Sequence, residues 1–394
     1  MSVTRRLLRS AAIAAASALA LVSLTACTAS DPAGSPTAAV VPDFLWDATA
    51  VHSIALDISP DEFDAIVASY RESGARDWAR ASITVDGTSL DDVGVSLGDS
   101  ATLDPDSTDV DLAGLPLVIS FDKFVDGQQL DGETALRLSA NASATGLNES
   151  VALELLAITG LSTESAVPTS FTVNGGTARL RLAVQQLDEA WVADQFDAGD
   201  SLYLAQPGGD FSYRGNSADA YDGTFEQVAG STDSAPLARL LKFAEKSSDS
   251  AFADDLHTYL DVDSFAAYLA FQKLVRQDDG PRARTALEYS DTTKLITVVP
   301  WDLSSAFTAS DSSGADGPVP DALAARFLAV PEFAEVYDQA VIDATSLLFD
   351  TGTAESILDD QTAVLTAQAS DLVSKRDTRR ESKALDEKIL SRSP

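Results

Sequence analysis

The hydrophobic period changes partway along this chain, and that change limits what it can fold into. Up to about residue 234, apolar residues come in short alternating runs bounded by turn residues. Ile54, Leu56 and Ile58 alternate as in a half-buried strand. Ala81–Val85 reads as a strand turning at Asp86-Gly87, and Leu115–Phe121 as a strand whose Pro116 marks an edge or a start. Ser170–Val173 and Ala178–Val184, joined by Asn174-Gly175, predict a hairpin. Two helices interrupt these strands. One opens at Ser59-Pro60-Asp61-Glu62, a capping box with proline at the first helical position, and runs through Tyr70. The other spans Leu147–Thr159. Beyond residue 235 the spacing is helical over Pro236–Lys246, Ser250–Leu260, Ser264–Arg276 (with Asp263 placed as a cap), Pro320–Phe349 and Ala354–Leu390. One predicted hairpin, between Val275 and Phe307, breaks that series. The expectation is an α+β fold with a strand-rich part at 43–234 and a helical part at 235–394, and a site in the cleft between them.

Residues 1–27 read as a secretion signal. Arg5, Arg6 and Arg9 precede an apolar run over Ala11–Leu24, which ends at Leu24-Thr25-Ala26-Cys27. Small residues before Cys27 match a lipobox, in which that cysteine is lipidated and becomes the mature N-terminus. The alternative is an ordinary signal that happens to hold a cysteine. Cys27 is the one cysteine of the chain, so no intramolecular disulfide can form. Thr28–Pro42, rich in Ala, Ser, Thr and Pro, reads as a flexible tether. The expected location is extracytoplasmic, with the membrane held through lipid rather than through a helix. The formal net charge is −34, and removing the leader takes away three more cations. Such a charge excludes nucleic acid as a partner and requires any nucleotide site to be locally basic or metal-filled.

The Val275–Phe307 segment holds the candidate chemistry. Asp278-Asp279 precedes the hairpin and Pro300-Trp301-Asp302 follows it. A phosphoryl-transfer site of the kinase type needs one carboxylate at the attacking hydroxyl and another at the metal on the phosphates. The plainer alternative is a solvated acidic loop. Arg276, Arg282, Arg284 and Lys294 form a basic island, which suits either phosphate oxygens or balance of the nearby aspartates. Trp301 can stack on a planar ring or pack in a core. Asp104, Asp106, Asp109 and Asp111 lack the turn glycine and closing glutamate of a calcium loop, and read as solvated. His52 and His257, the only histidines, lie in settings that suggest neither a zinc site nor a Ser-His-Asp triad.

From about Val51 to Phe307 the order of blocks resembles the CotH kinase family, named for spore-coat protein H. Val93-Gly94-Val95 with Gly98-Asp99-Ser100 is similar to the family's strand and Gly-Asn-Ser turn. Leu117–Phe124 is similar to its IKFDKF strand. Asn141-Ala142-Ser143 with the helix carrying Glu149 resembles its Asn-rich turn and helix. Asn174-Gly175 through Asp188 resembles its hairpin, Leu202-Tyr203 its LYK block, Tyr259–Phe265 its YLDVDNF helix start, and Pro300-Trp301-Asp302-Leu303 its PWDLD. The resemblance implies an atypical, two-lobed protein-kinase-like fold that binds Mg-ATP. It implies a catalytic aspartate at Asp278 or Asp279, a metal aspartate at Asp302, and Trp301, Gln185, Arg282 and Arg284 around the nucleotide. Several positions depart from the family. Its basic residues near the Gly-Asn-Ser turn give way to Ser96 and Leu97, and those of the following strand to Leu115 and Val118. Its glutamate is Gln185, its metal-side asparagine Thr285, the second acid of PWDLD Ser304 and the lysine of LYK Leu204. A triphosphate needs cations beside it, so these losses imply weak or lost phosphotransfer and a role as a binding or assembly module at the cell envelope. The alternative is an active kinase phosphorylating an extracytoplasmic protein. A solute-binding lipoprotein fits the leader and tether but not the ordered blocks.

Overall fold

The computed structural model describes residues 44–98, 101, 103, 110–139, 141, 143–206, 211–231, 233–275, 285–308 and 322–392. The leader with Cys27, the tether, and the segment with Asp278, Asp279, Arg282 and Arg284 lie outside them, as do Asp104, Asp106, Asp109 and Arg276. Seven strands of the first half close a barrel. β1 (His52–Ile58), β2 (Ala79–Val85), β3 (Thr88–Leu97), β4 (Leu117–Ser120) and β5 (Ala135–Leu138) follow one another antiparallel. β7 (Arg179–Gln185) pairs with β5, and β6 (Ala166–Val173) closes the ring by lying parallel to β1. Closure removes every free edge. The interior is apolar, with Ile54, Leu56, Val93, Val95, Ile119, Leu136, Leu138 and Phe171 among its residues.

The tight turns fall where sequence placed them. Asp86 (φ 46°) and Gly87 (φ 86°) both take left-handed backbone between β2 and β3. Asn174 (φ 51°) and Gly175 (φ 66°) do so after β6. Asn174 also extends the sheet with its side chain, accepting from Ile58 N (2.8 Å) and donating to Ile58 O (2.9 Å). α1 (Pro60–Ser73) opens with Ser59 Oγ accepting from Glu62 N. The box is half closed, because the Glu62 carboxylate accepts from Arg80 N instead.

α2 (Leu147–Thr159) leaves the barrel after β5 and is buried on both sides. One side meets the outer face of β7 at Leu180, Leu182 and Val184. The other meets α9 (Thr353–Gln368) and α10 (Lys375–Leu390). These two helices replace the single helical stretch read over Ala354–Leu390. The break comes where Ser374 Oγ accepts from Asp377 N and starts a new helix.

Beyond the barrel, after α3 (Glu189–Gln195), β8 (Ser201–Ala205) and β9 (Phe225–Ala229) pair with the later hairpin, β10 (Thr285–Tyr289) and β11 (Ile296–Pro300), in the order β11-β10-β8-β9. This sheet draws strands from both sides of residue 234, so the change in composition is not a break in packing. On it lie α4 (Ala235–Lys246), α5 (Asp249–Asp255), α6 (Val262–Val275), α7 (Ala322–Ala329) and α8 (Pro331–Thr345), around Leu237, Leu241, Phe252, Phe265, Leu287 and Phe327. Two details differ from expectation. α5 stops at Asp255 and passes into a 3-10 turn over Leu256–Thr258. α6 starts at Val262, and its cap is Asp261, whose Oδ1 accepts from Ser264 N (3.0 Å), while Asp263 falls inside the first turn.

Candidate functional site

The site builds outward from β5. Leu136 and Leu138 point into the barrel, so the alternation of a strand sends Arg137 outward between them. There it is covered by α2, by the loop leading to β6 and by the turn after β11, and its residue is only 8% exposed. Each covering element brings a carboxylate. Glu149 sits in the first turn of α2, whose N-cap is the left-handed Gly146. Arg137 Nη2 lies 3.2 Å from Glu149 Oε1 and 3.0 Å from Glu164 Oε1, and Nη1 lies 3.8 Å from Asp302 Oδ1. Ser139 Oγ donates to the other oxygen of Glu149. Asp302 N donates to Glu164 Oε2 (3.2 Å), so backbone and side chains are tied together.

One guanidinium therefore faces three buried carboxyls. Burial alone would lower the Arg137 guanidinium, but Glu149, Glu164 and Asp302 outweigh it and hold it above its ordinary value. The glutamates show the opposite strain. Burial pushes Glu164 up to about 7, with repulsion from Asp302 added and Arg137 opposing. Burial likewise raises Glu149, against the pull of Arg137. Both shifts favour a proton on the glutamates.

The turn holding Asp302 is itself strained. Asp302 (φ 49°) and Phe307 (φ 60°) both sit in left-handed backbone without being glycine. Packing imposes these conformations. Leu303, Ala306 and Phe307 are buried in the same cluster as α2, α9 and α10, and Phe307 N donates to Val275 O (2.7 Å). Asn148, next to Glu149 on α2, donates from Nδ2 to Ser304 O (2.7 Å) and Ala306 O (3.3 Å). Its Oδ1 is buried with no hydrogen-bond partner, as is Trp301 Nε1.

Of the residues named from sequence, the structure brings Asp302 into this cluster. Gln185 is not there. It points toward the barrel interior, where Nε2 donates to Glu133 Oε1 (2.8 Å) and Oε1 accepts from Ser165 N (3.2 Å). Trp301 is 5% exposed and packs with Leu187, Trp191, Leu204 and Val299. Its ring has little free face on which to stack a base. Thr285 pairs with Pro300 across the hairpin, close to the Asp302 turn, and its hydroxyl meets Tyr268. Asp278, Asp279, Arg282, Arg284 and Cys27 lie outside the described residues. Asp111 caps a 3-10 turn and pairs with Arg179. His52 is structural, with its ring nitrogens against Asp86 Oδ2 (2.7 Å) and Asp47 O (3.0 Å).

Sequence reasoning missed Arg137 and Glu164. The available signal was an arginine between two leucines in a four-residue strand, which reads equally well as an exposed edge position. Among the described residues no group of three or more His, Cys, Asp or Glu side chains is placed to hold a metal ion. Magnesium does not require one. It takes one or two carboxylates and fills its shell with water and phosphate oxygens. The orphaned Asn148 Oδ1, held against the Asp302 turn, suits a hard divalent cation.

Comparison with known proteins gives one clear result. The family model described as CotH kinase protein matches residues 113–389, well over half of the chain. No curated protein matches. Among solved structures, a chain of the Shewanella oneidensis MR-1 toxin–antitoxin complex of HipA, HipB and operator DNA is 11% identical with a TM-score of 0.33, over 66% of this chain and 57% of that one. The Helicobacter pylori proinflammatory kinase CtkA is 10% identical with a TM-score of 0.30, over 66% of this chain and 90% of that one. Scores this low assign no shared fold. No helix among the described residues is long and apolar enough to cross a membrane.

Proposed function

The chain belongs to the CotH kinase protein family, and on that premise we propose that it binds Mg-ATP at the Arg137–Asp302 cluster and transfers phosphate slowly to an acceptor outside the cytoplasm. The observation that carries this reading is the ion pair between a strand cation, Arg137, and a helix glutamate, Glu149, beside the carboxylate of Asp302. Protein kinases require a strand lysine paired with a helix glutamate, and an aspartate at the metal. Arg137 supplies the cation that seemed absent when Leu115 and Val118 replaced the family's basic positions.

In this reading Asp302 is the protein's metal carboxylate, with Asn148 Oδ1, which α2 brings against the same turn, as a further oxygen. Magnesium supplies neutralisation of the β- and γ-phosphate charge when bound. Glu149 and Ser139 hold Arg137 in place, and the packed Leu303–Phe307 turn fixes Asp302. Asp278 or Asp279 serves as the catalytic carboxylate at the acceptor hydroxyl, and Arg282 and Arg284 as phosphate contacts. Transfer is slow because Arg137 is shared among three carboxyls and offers little unspent charge to a phosphate.

A second reading, a binding or assembly module without phosphotransfer, is favoured by the same sharing of Arg137. The proposed location follows from the lipobox, with Cys27 lipidated and the body held at the outer face of the membrane beside an extracytoplasmic protein partner. Radiolabel transfer from γ-labelled ATP onto cell-envelope proteins decides between the readings. Slow, magnesium-dependent labelling lost in Asp302→Ala supports the kinase. Binding of Mg-ATP without any labelling supports the module. Release of the protein from membranes by Cys27→Ala tests the anchor.

A further inference from the structure

α4 carries a feature that the phosphotransfer reading does not use. Arg239, Lys242 and Lys246 recur at spacings of three and four, which places all three on one face of the helix, and all three are exposed. They line an open pocket of about 520 Å³ whose charged lining, among the described residues, is entirely positive. Acids outnumber bases 61 to 27 in this chain, so a wall with three cations and no carboxylate among the described residues is not a sample of the average surface.

Two aromatic rings, Phe243 and Tyr259, share the wall with Asn216, Ala235, Ala238 and Ser247. Phe243 and Tyr259 stack with ring centroids 4.0 Å apart. The Arg239 guanidinium lies 5.1 Å over Tyr259, and Lys242 Nζ lies 5.8 Å from the Tyr213 ring. These contacts fix the cations without neutralising them. Among the described residues neither Arg239 nor Lys242 has a carboxylate within ion-pair distance, and Arg239 spends one nitrogen on the Lys294 carbonyl. Lys246 alone is paired, with its neighbour Glu245.

We propose that this face of α4 binds an acidic polypeptide segment in extended conformation. The length of the row selects a peptide over a single anion. Seven residues of helix separate Arg239 from Lys246, or about 10 Å along the axis. One phosphate or carboxylate cannot meet cations spread over that distance. An extended chain places alternate side chains on one side about 7 Å apart, so acidic residues two and four positions apart run along the row. The stacked Phe243 and Tyr259 give an apolar floor for a side chain between them. This site is independent of nucleotide binding, because its residues lie on α4 and its neighbours rather than around Arg137.

The test is fluorescence polarisation with the full chain and a fluorescein-labelled peptide of six glutamates interrupted by one tyrosine, without ATP. Binding is expected to weaken at least tenfold in Arg239→Glu/Lys242→Glu and to fall steeply with added salt. Lys375→Glu/Lys383→Glu on α10 makes the same charge change elsewhere and is expected to have little effect. Lys242→Gln, which removes one charge without reversing it, gives an intermediate loss and guards against misfolding of the double variant, as does an unchanged melting temperature. Equal weakening by Lys375→Glu/Lys383→Glu would overturn the site in favour of diffuse attraction. So would displacement of the peptide by equimolar inorganic phosphate, which would show a simple anion site, or an absence of binding at low salt.

Discussion

Two buried acidic groups in this protein solve the same problem differently. Around Arg137, three carboxyls are held by one cation. In the second sheet, Glu288 on β10 has no cation paired with it among the described residues. It is 1% exposed, faces Thr297 across the hairpin and shares a hydrogen bond with Asp200. Burial, with the charge of Asp200 added, pushes its carboxyl up to about 8. Asp200 Oδ1 in turn accepts from Asp291 N (2.9 Å), fastening the hairpin to the start of β8. The second pair is thus relieved by a proton rather than by a cation. The first shares one cation among three carboxyls beside a strained turn, so its stability depends on that cation staying in place.

Removing the cation should therefore separate the two groups most sharply. Arg137→Ala leaves Glu149, Glu164 and Asp302 buried together, and should cost about 3–5 kcal/mol in urea unfolding. A loss below about 1 kcal/mol would mean that water already reaches these carboxyls. Ser139→Ala removes one hydrogen bond to the Glu149 carboxylate and should cost about 1.5–3 kcal/mol in the same assay.

The second group is tested by pH. Glu288 keeps its proton in the folded state up to about 8, while the unfolded chain releases it near the ordinary glutamate value of 4.5. Protons are thus bound more tightly when folded, and the contribution is fully present below 4.5 and lost as pH rises toward about 8. The melting temperature should decline over that window, and Glu288→Gln should flatten the decline. An unchanged slope in the variant would place the pH dependence elsewhere. The smallest effect expected is that of Ser59→Ala, far from both groups, which removes the cap of α1 and should cost about 1 kcal/mol.

The parts of this fold legible in sequence are those fixed by local chemistry. Asp86-Gly87 and Asn174-Gly175 marked turns because left-handed backbone favours those residues. Ser59 marked a helix start because a hydroxyl satisfies a free amide. Barrel closure was not legible. It depends on β1 meeting β6, with Ile58 and Asn174 in contact across 116 residues, and alternation says which face is buried without saying which strand is the neighbour. Asp302 was singled out because a block of adjacent residues points to it, and it lies beside Arg137. Arg137 was missed because its burial is made by α2, the Glu164 loop and the Asp302 turn folding over a short strand. Gln185 shows the converse error. Its place in a family block suggested the nucleotide, but the inward phase of β7 commits it to Glu133.

Calorimetric titration of the full chain with ATP, in magnesium and then in EDTA, tests the central claim most directly. The Arg137–Asp302 cluster predicts binding in magnesium that disappears in EDTA and in Asp302→Ala. No heat at millimolar Mg-ATP, or binding that survives both EDTA and Asp302→Ala, would contradict it.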